Sequence, residues 1–299
     1  MDRDACVVVG DLSVDILSSL PDPDVLTRLA SGRDVNIDCG SELRIGGSAW
    51  LFTESLTAQT DVVPLVLSAV GDDLPGEFVR SHIGSTGLLT EGIQRVDGQP
   101  TTTCVMTYFP EKQRLMVYPG RSGLRMSSAD HLDSFLRLVE PYAPSCTWLS
   151  GHSLNGAQGE RLQVLRSLRE EMAARGSKVV LDLVPHRFRD LVGGLAKVDG
   201  MLGRIDGVVG ELDTLDELLD SPRGLRGATA DRMKYLAEEL GVRYGLGVVQ
   251  SRLGTDSYGQ AVALDGTLVD WQEESIADRG MRGLGDRLAV KALTTAKYL

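Results

Sequence analysis

Short, unbroken apolar runs recur along this chain, and most of them end in a glycine or an acidic residue. Ala5–Gly10, Val62–Gly71 and Asp206–Gly210 end in glycine, and Thr147–Ser150 and Lys178–Val184 are runs of the same kind. A strand with one face in water alternates apolar and polar residues. A continuous run suits a strand covered on both faces. Amphipathic segments with recognisable ends lie between the runs. Ser127-Ser128-Ala129-Asp130 predicts a capped helix through about Pro141. Leu162, Leu165, Leu168 and Met172 repeat at helical spacing within 158–175, and Gly176 supplies a stop. A further helix is expected over 229–240, closed by Gly241. Such alternation predicts an α/β fold with a mainly parallel central sheet and helices on both faces.

Two segments break the rhythm. Residues 33–45 and 101–118 read as extended or hairpin-forming, and Thr103, Val105, Thr107 and Phe109 fall on one face of an alternating strand. Strands outside the parallel rhythm predict a small β lid over a cleft. No linker, repeat or low-complexity tract divides the chain, so 1–299 reads as a single domain with the lid inside it.

Composition narrows the partners. With 42% apolar and 24% charged residues in 299, the chain can bury a core. A net charge of −11 disfavours non-specific nucleic-acid binding. The first residues lack the pattern of a secretory signal, and the longest apolar stretch, 62–70, is roughly half a membrane span. No membrane partner is expected. Cys6, Cys39, Cys104 and Cys146 form no CxxC pair and read as reduced, buried thiols of a cytoplasmic protein. His82, His131, His152 and His186 lack metal-ligand spacing, although His152 and His186 follow strands and are placed to line a cleft. Trp50 and Trp148 read as packing residues.

Open α/β sheets bind ligands beyond the carboxyl ends of their strands. The candidates are therefore the polar and glycine-rich stretches that follow the runs: Gly10-Asp11-Leu12-Ser13-Val14-Asp15, Gly46-Gly47-Ser48-Ala49, Gly71-Asp72-Asp73-Leu74-Pro75-Gly76, Asp182, and Gly283-Leu284-Gly285-Asp286. The last opens the terminal helix. Free amides at a helix start attract anionic oxygen, and glycines permit close approach. An Asp beside such amides can accept a proton from an attacking hydroxyl, the combination that phosphoryl transfer needs. It can equally serve as a plain helix cap. The chain carries no GxxxxGK[ST], GxGxxG or GxSxG motif of the commoner nucleotide-binding and hydrolase folds.

In this order, the stretches resemble the ribokinase (PfkB) family of carbohydrate and nucleoside kinases over almost the whole chain. The resemblance implies a ribokinase-like fold and an ATP-dependent, magnesium-requiring transfer of the γ-phosphate to a hydroxyl of a sugar, nucleoside or related molecule. It implies that Asp286 is the base, that Gly283, Leu284 and Gly285 form the anion hole, and that Asp15, Gly46, Gly47 and Ser48 grip the acceptor. Val248–Gly254 is similar to the family's turn near ATP, which assigns Arg252 and Gly254 to the nucleotide. The magnesium-associated Asn-x-x-Glu motif falls at 210–214, with Glu211 for the Asn and Thr214 for the Glu. By charge alone, Glu211 or Asp213 would hold the ion through water. Pairing of two copies through the lid strands is a further expectation.

Other positions depart from the pattern. Gly280-Met281-Arg282 stands where Asp-Thr is usual, Arg287-Leu288 where a small residue and Phe follow the Asp, and Leu51 where the family has Asn. An arginine at a helix start opposes the macrodipole by ~0.3–1 kcal/mol unless an anion or carboxylate lies nearby. Arg282 and Arg287 are thus either solvated helix-end charges or phosphate contacts. These departures support an alternative, a non-catalytic ribokinase-like protein that binds a small metabolite or a protein partner.

Overall fold

The computed structural model describes residues 3–19, 24–32, 34, 36, 38–109, 114–118, 128–154, 157–184, 193–219, 228–276 and 282–299. The first apolar run forms β1 (Arg3–Val9), the hinge of the larger sheet. It pairs in parallel with β4 (Val63–Gly71) on one side and β8 (Tyr142–Ser150) on the other. From β4 the sheet extends to β5 (Ile93–Val96). From β8 it extends through β9 (Lys178–Asp182), β10 (Gly207–Glu211) and β11 (Leu246–Arg252), all parallel. An antiparallel pair, β12 (Ser257–Leu264) and β13 (Thr267–Ser275), closes that edge. The chain therefore builds outward from β1 in one direction and then in the other, which creates a switch point between β1 and β8.

Both faces of this sheet are covered, as unbroken apolar runs require. Ala5, Val7 and Val9 join one buried cluster with α4 (Ala129–Val139), α5 (Gly159–Ala174) and α8 (Thr229–Tyr244), through Phe135, Leu168 and Leu236. Cys6 and Val8 point the other way, toward α2 (Ser48–Gln59), α3 (Leu74–Ser85) and α9 (Leu284–Thr295), through Phe52, Ile83 and Leu293. Phe52 stacks on Trp148 with centroids 4.2 Å apart. Ser128 caps α4 by accepting from the His131 amide, and Gly176, at φ 84, stands just past the end of α5, as the sequence predicts. The shorter α1 (Val25–Ala30), α6 (Leu195–Leu202) and α7 (Leu212–Leu218) complete the helices used below.

Three expectations are corrected. Helix α8 runs through Gly241 to Tyr244 and stops at Gly245, which takes φ 95. Gly241 lies inside the helix because a side chain there would strike the Gly266 amide, 2.8 Å from an ideal Cβ. The lid is four-stranded, in the order β3 (Ser41–Gly46), β2 (Ser13–Ser19), β6 (Thr102–Tyr108), β7 (Arg114–Val117). Its central strand β2 follows β1 almost directly. In the 33–45 segment strand begins only at Ser41, and residues 33, 35 and 37 lie outside the described residues, as do 110–113. Phe109 lies past the end of β6, although Thr103, Val105 and Thr107 do share its outer face, in register with Val14, Ile16 and Ser18. Finally, Cys39 is exposed, while Cys6, Cys104 and Cys146 are buried and in no disulfide. Among the described residues no helix is long and apolar enough to cross a membrane.

Two glycines give opposite predictions. A Cβ on Gly247 would collide with the Ala237 carbonyl where α8 lies on β11. Gly247→Ala should cost about 1–3 kcal/mol, read as a lower urea midpoint with an unchanged slope. Gly200, inside α6, has nothing within 4 Å of an added Cβ. Gly200→Ala should stabilise by about 0.5–1 kcal/mol.

Candidate active site

A cavity of about 190 Å³ opens at the switch point, beyond the carboxyl ends of β1, β8, β9, β10 and β11 and beneath the lid. Its walls come from the turns that follow these strands, so residues far apart in sequence meet there. Asp11, just after β1, fixes the start of α2. Its Oδ1 accepts from the Ser48 amide at 3.1 Å and from the Ser48 hydroxyl, which also reaches Ser150 at 2.7 Å. Gly47, at φ 89, is the N-cap residue of α2, and an added Cβ would run into the Asp11 carbonyl. Gly46 has no room for a Cβ because the Asp15 carboxylate lies against it.

Asp15 is the centre of the lid's inner face. Its Oδ1 accepts from Ser13 at 2.9 Å, and its Oδ2 lies 3.4 Å from Arg282 Nε. Arg282 also donates through Nη2 to the Ile45 carbonyl. The two side chains are only 11% and 5% exposed, so this ion pair is shielded from water. A carboxylate is thus the partner that makes Arg282 tolerable at a helix start. Burial raises the Asp15 carboxyl above its ordinary value, while Ser13 and Arg282 oppose that shift.

The turn at 283–286 has the geometry of an anion site. Gly283 is left-handed, at φ 69, and is the N-cap residue of α9 with no side-chain cap. The first intrahelical bond is donated by Arg287 to the Gly283 carbonyl, so the amides of Leu284, Gly285 and Asp286 precede the helical ladder. Asp286 is therefore not the helix cap; it sits in the first turn facing the cavity. Buried glutamines brace the turn. Gln250 Nε2 donates to the Gly285 carbonyl at 2.9 Å and to Gln260 Oε1 at 2.8 Å. Gln260 in turn donates to the Leu288 carbonyl at 2.9 Å.

Asp182 and Glu211 complete the deep wall. Asp182 Oδ1 accepts from the Val184 amide at 3.1 Å, and Tyr258 donates to Glu211 at 3.2 Å. Burial, reinforced by Asp286, pushes the Asp182 carboxyl up to about 7. Burial, reinforced by Asp11, pushes Asp286 up to about 7 as well. Overhead, Cys104, Met106, Met116 and Tyr118 form an apolar roof.

No protein-family model matches the sequence, and no curated protein matches it in sequence. Solved structures do match in shape. The 2-dehydro-3-deoxygluconokinase of Thermotoga maritima superposes with a TM-score of 0.72 at 16% identity, over 99% of this chain and 87% of that one. Adenosine kinase of Anopheles gambiae, solved with P1,P4-di(adenosine-5) tetraphosphate, gives 0.68 at 15%, over 99% and 90%. A putative ribokinase II of E. coli in complex with ATP and Mg2+ gives 0.65 at 15%, over 99% and 86%. The fold is ribokinase-like.

Within this ribokinase-like frame, Asp15, Gly47, Ser48, Glu211, Gly283, Gly285 and Asp286 gather around the cavity. Gly46 and Leu284 are not among the residues that line it, and Leu284 is buried with Tyr258, Ile276 and Leu288. Arg252 and Gly254, at the end of β11 and in the turn after it, lie outside its lining. Arg287 turns away to pair with Glu274. Gly71–Gly76 does structural work: Asp73 accepts from the Gly76 amide and from Thr101, tying α3 to the start of β6. Trp50 packs edge-on against His82, while Trp148 forms part of the floor and His152 part of the wall. His186, Gly280 and Met281 lie outside the described residues. Asp11 lies in a candidate stretch to which only Asp15 is assigned a role, and Gln250 and Gln260 carry no assignment from sequence. Their signals were present: Asp11 is the first acid after the first run, and each glutamine interrupts an apolar strand.

The raised carboxyls make stability depend on pH. A folded-state value of about 7 against an ordinary 3.8 means that the folded state holds its proton longer. Stability is therefore lost as pH rises above about 4, and the loss is complete only above about 7. Asp286→Asn should melt higher than the parent at about pH 8, with the gain vanishing near pH 4. Calorimetric Tm values across that range check this. An equal or lower Tm at the alkaline end contradicts it.

Proposed function

We propose that this protein is an ATP-dependent phosphotransferase that moves the γ-phosphate to a hydroxyl of a sugar, nucleoside or related small molecule. The observation that carries the proposal is the α9 start, where amides that precede the helical ladder and the Asp286 carboxyl lie at one cavity with Asp11 and Asp15. Asp11 and Asp15 bind acceptor hydroxyls by accepting hydrogen bonds. Gly46, Gly47 and Ser48 shape that end of the cavity. Asp286 takes the proton as the acceptor oxygen attacks phosphorus. The amides of Leu284, Gly285 and Asp286 hold the anionic oxygens that gather charge. A carboxyl pushed up to about 7 is well matched to this task, because a general base works best near the ambient pH.

The donor set also suits magnesium, which keeps most of its waters and needs only one or two carboxylates beside the phosphates. Among the described residues no cluster of three or more side chains has the arrangement of a dedicated metal cage. Glu211 and Asp182 are the side chains that would hold the ion through water, and when bound it would neutralise phosphate charge. Arg252, whose buried Nε has no hydrogen-bond partner among the described residues, and Gly254 are assigned to the nucleotide. The buried free thiols fit a reducing cytoplasm. The outer face of the lid exposes Leu43 at 58%, Leu115 at 51% and Val117 at 48%, which suits docking of a second copy.

Asp286→Asn tests the reaction directly. General-base assistance is worth about 10²–10⁴-fold, so ADP release in the presence of acceptor should fall by that factor while acceptor affinity changes only a few-fold. A variant that keeps full turnover excludes Asp286 as the base. A parent protein that binds acceptor but never consumes ATP favours the non-catalytic alternative.

A further inference from the structure

The charge and lining of the cavity narrow the acceptor class, within the kinase reading on which this inference rests. We infer that the acceptor is an uncharged, hydroxylated molecule with a flat apolar face, of the nucleoside or aryl glycoside kind, and that carboxylated and phosphorylated sugars are rejected.

Charge is the first ground. Arg282 is the only arginine or lysine lining the cavity among the described residues, and its guanidinium is already taken by Asp15 and the Ile45 carbonyl. That pair is nearly closed to solvent, at 11% and 5% exposure, so little positive potential is left over for an incoming anion. Asp11 adds a carboxylate at the same end and Glu211 another on the deep wall, beside Asp182 and Asp286, whose carboxyls burial pushes up to about 7. His152 also lines the cavity, where it interacts with Asp182. A carboxylate or phosphate on the acceptor would face like charge in a site partly screened from water, where such juxtaposition is costly. A hydroxyl meets the opposite situation. Asp11 uses Oδ1 for both bonds from Ser48, and its Oδ2 has no hydrogen bond among the described residues. That oxygen is open to a charge-assisted bond from a neutral donor.

Shape is the second ground. The roof of Cys104, Met106, Met116 and Tyr118, with Leu51 on the wall, presents thioethers, a phenol ring and an aliphatic side chain above a polar floor. Thioethers adapt to aromatic faces. A bare sugar would leave this roof uncovered, whereas a base or aryl group would fill it while its hydroxyls reach Asp11 and Asp15.

The test is calorimetric binding to the full chain without nucleotide, at matched ionic strength. The neutral ligands are adenosine and phenyl β-D-glucopyranoside, and the anionic ones are gluconate and ribose 5-phosphate. At least one neutral ligand should saturate, and both anions should bind at least about tenfold more weakly. Asp11→Asn, checked for an unchanged unfolding midpoint, should weaken the neutral ligand and narrow its margin over the anions. Gluconate or ribose 5-phosphate binding as tightly as the neutral ligands overturns the inference, and so does failure of both neutral ligands to saturate. The kinase reading fails separately: tight neutral binding without phosphate transfer spares this inference, whereas transfer to gluconate spares the kinase reading alone.

Discussion

Gln250 and Gln260 bury two side-chain amides in the β11–β12 pair, and both are directed at the start of α9. In a low-dielectric interior such a relay is strong when its donors are satisfied and costly when they are not. It fixes the height and rotation of the helix start above the sheet. Gly283, Gly285 and Asp286 consequently line the cavity beyond the carboxyl ends of the parallel strands. Gly285 has no side chain because the Gln250 side-chain oxygen Oε1 lies 2.9 Å from where a Cβ would stand. The other features of the site are arranged around this fixed point.

The lid is tied to the same point by charge. Arg282 reaches from the residue before Gly283 to Asp15 on β2 and to the Ile45 carbonyl on β3. One side chain thus joins the lid's inner face to the turn at 283–286, so anything that binds Asp15 must compete with, or share, the Arg282 contact. The same pairing offsets the unfavourable placement of a cation at a helix start. It also removes that cation from the inventory available to a ligand.

Legibility from sequence followed the physics of burial. The central strands were readable because both faces are covered, so their apolar runs are unbroken. β6 was readable because it alternates, with Cys104 and Met106 facing inward and Thr103 and Val105 outward. β2 was hidden because its sequence doubles as the polar turn after β1, and only pairing with β3 and β6 makes it a strand. The hairpin of β12 and β13 was marked by Asp265-Gly266, both at positive φ, a turn signal that passed unused. In the site, the glycines and Asp286 were legible because close approach and helix starts demand particular residue types. The partner of Arg282 was not, since it lies 267 residues away and no local pattern encodes it.

The central claim is that the start of α9 is a phosphate site. The most direct measurement is a calorimetric titration of the wild-type chain with a non-hydrolysable ATP analogue in the presence of magnesium. Saturable binding of one nucleotide per chain is the expected result. A folded protein that gives no saturable heat with the analogue, yet binds an acceptor, would contradict the claim.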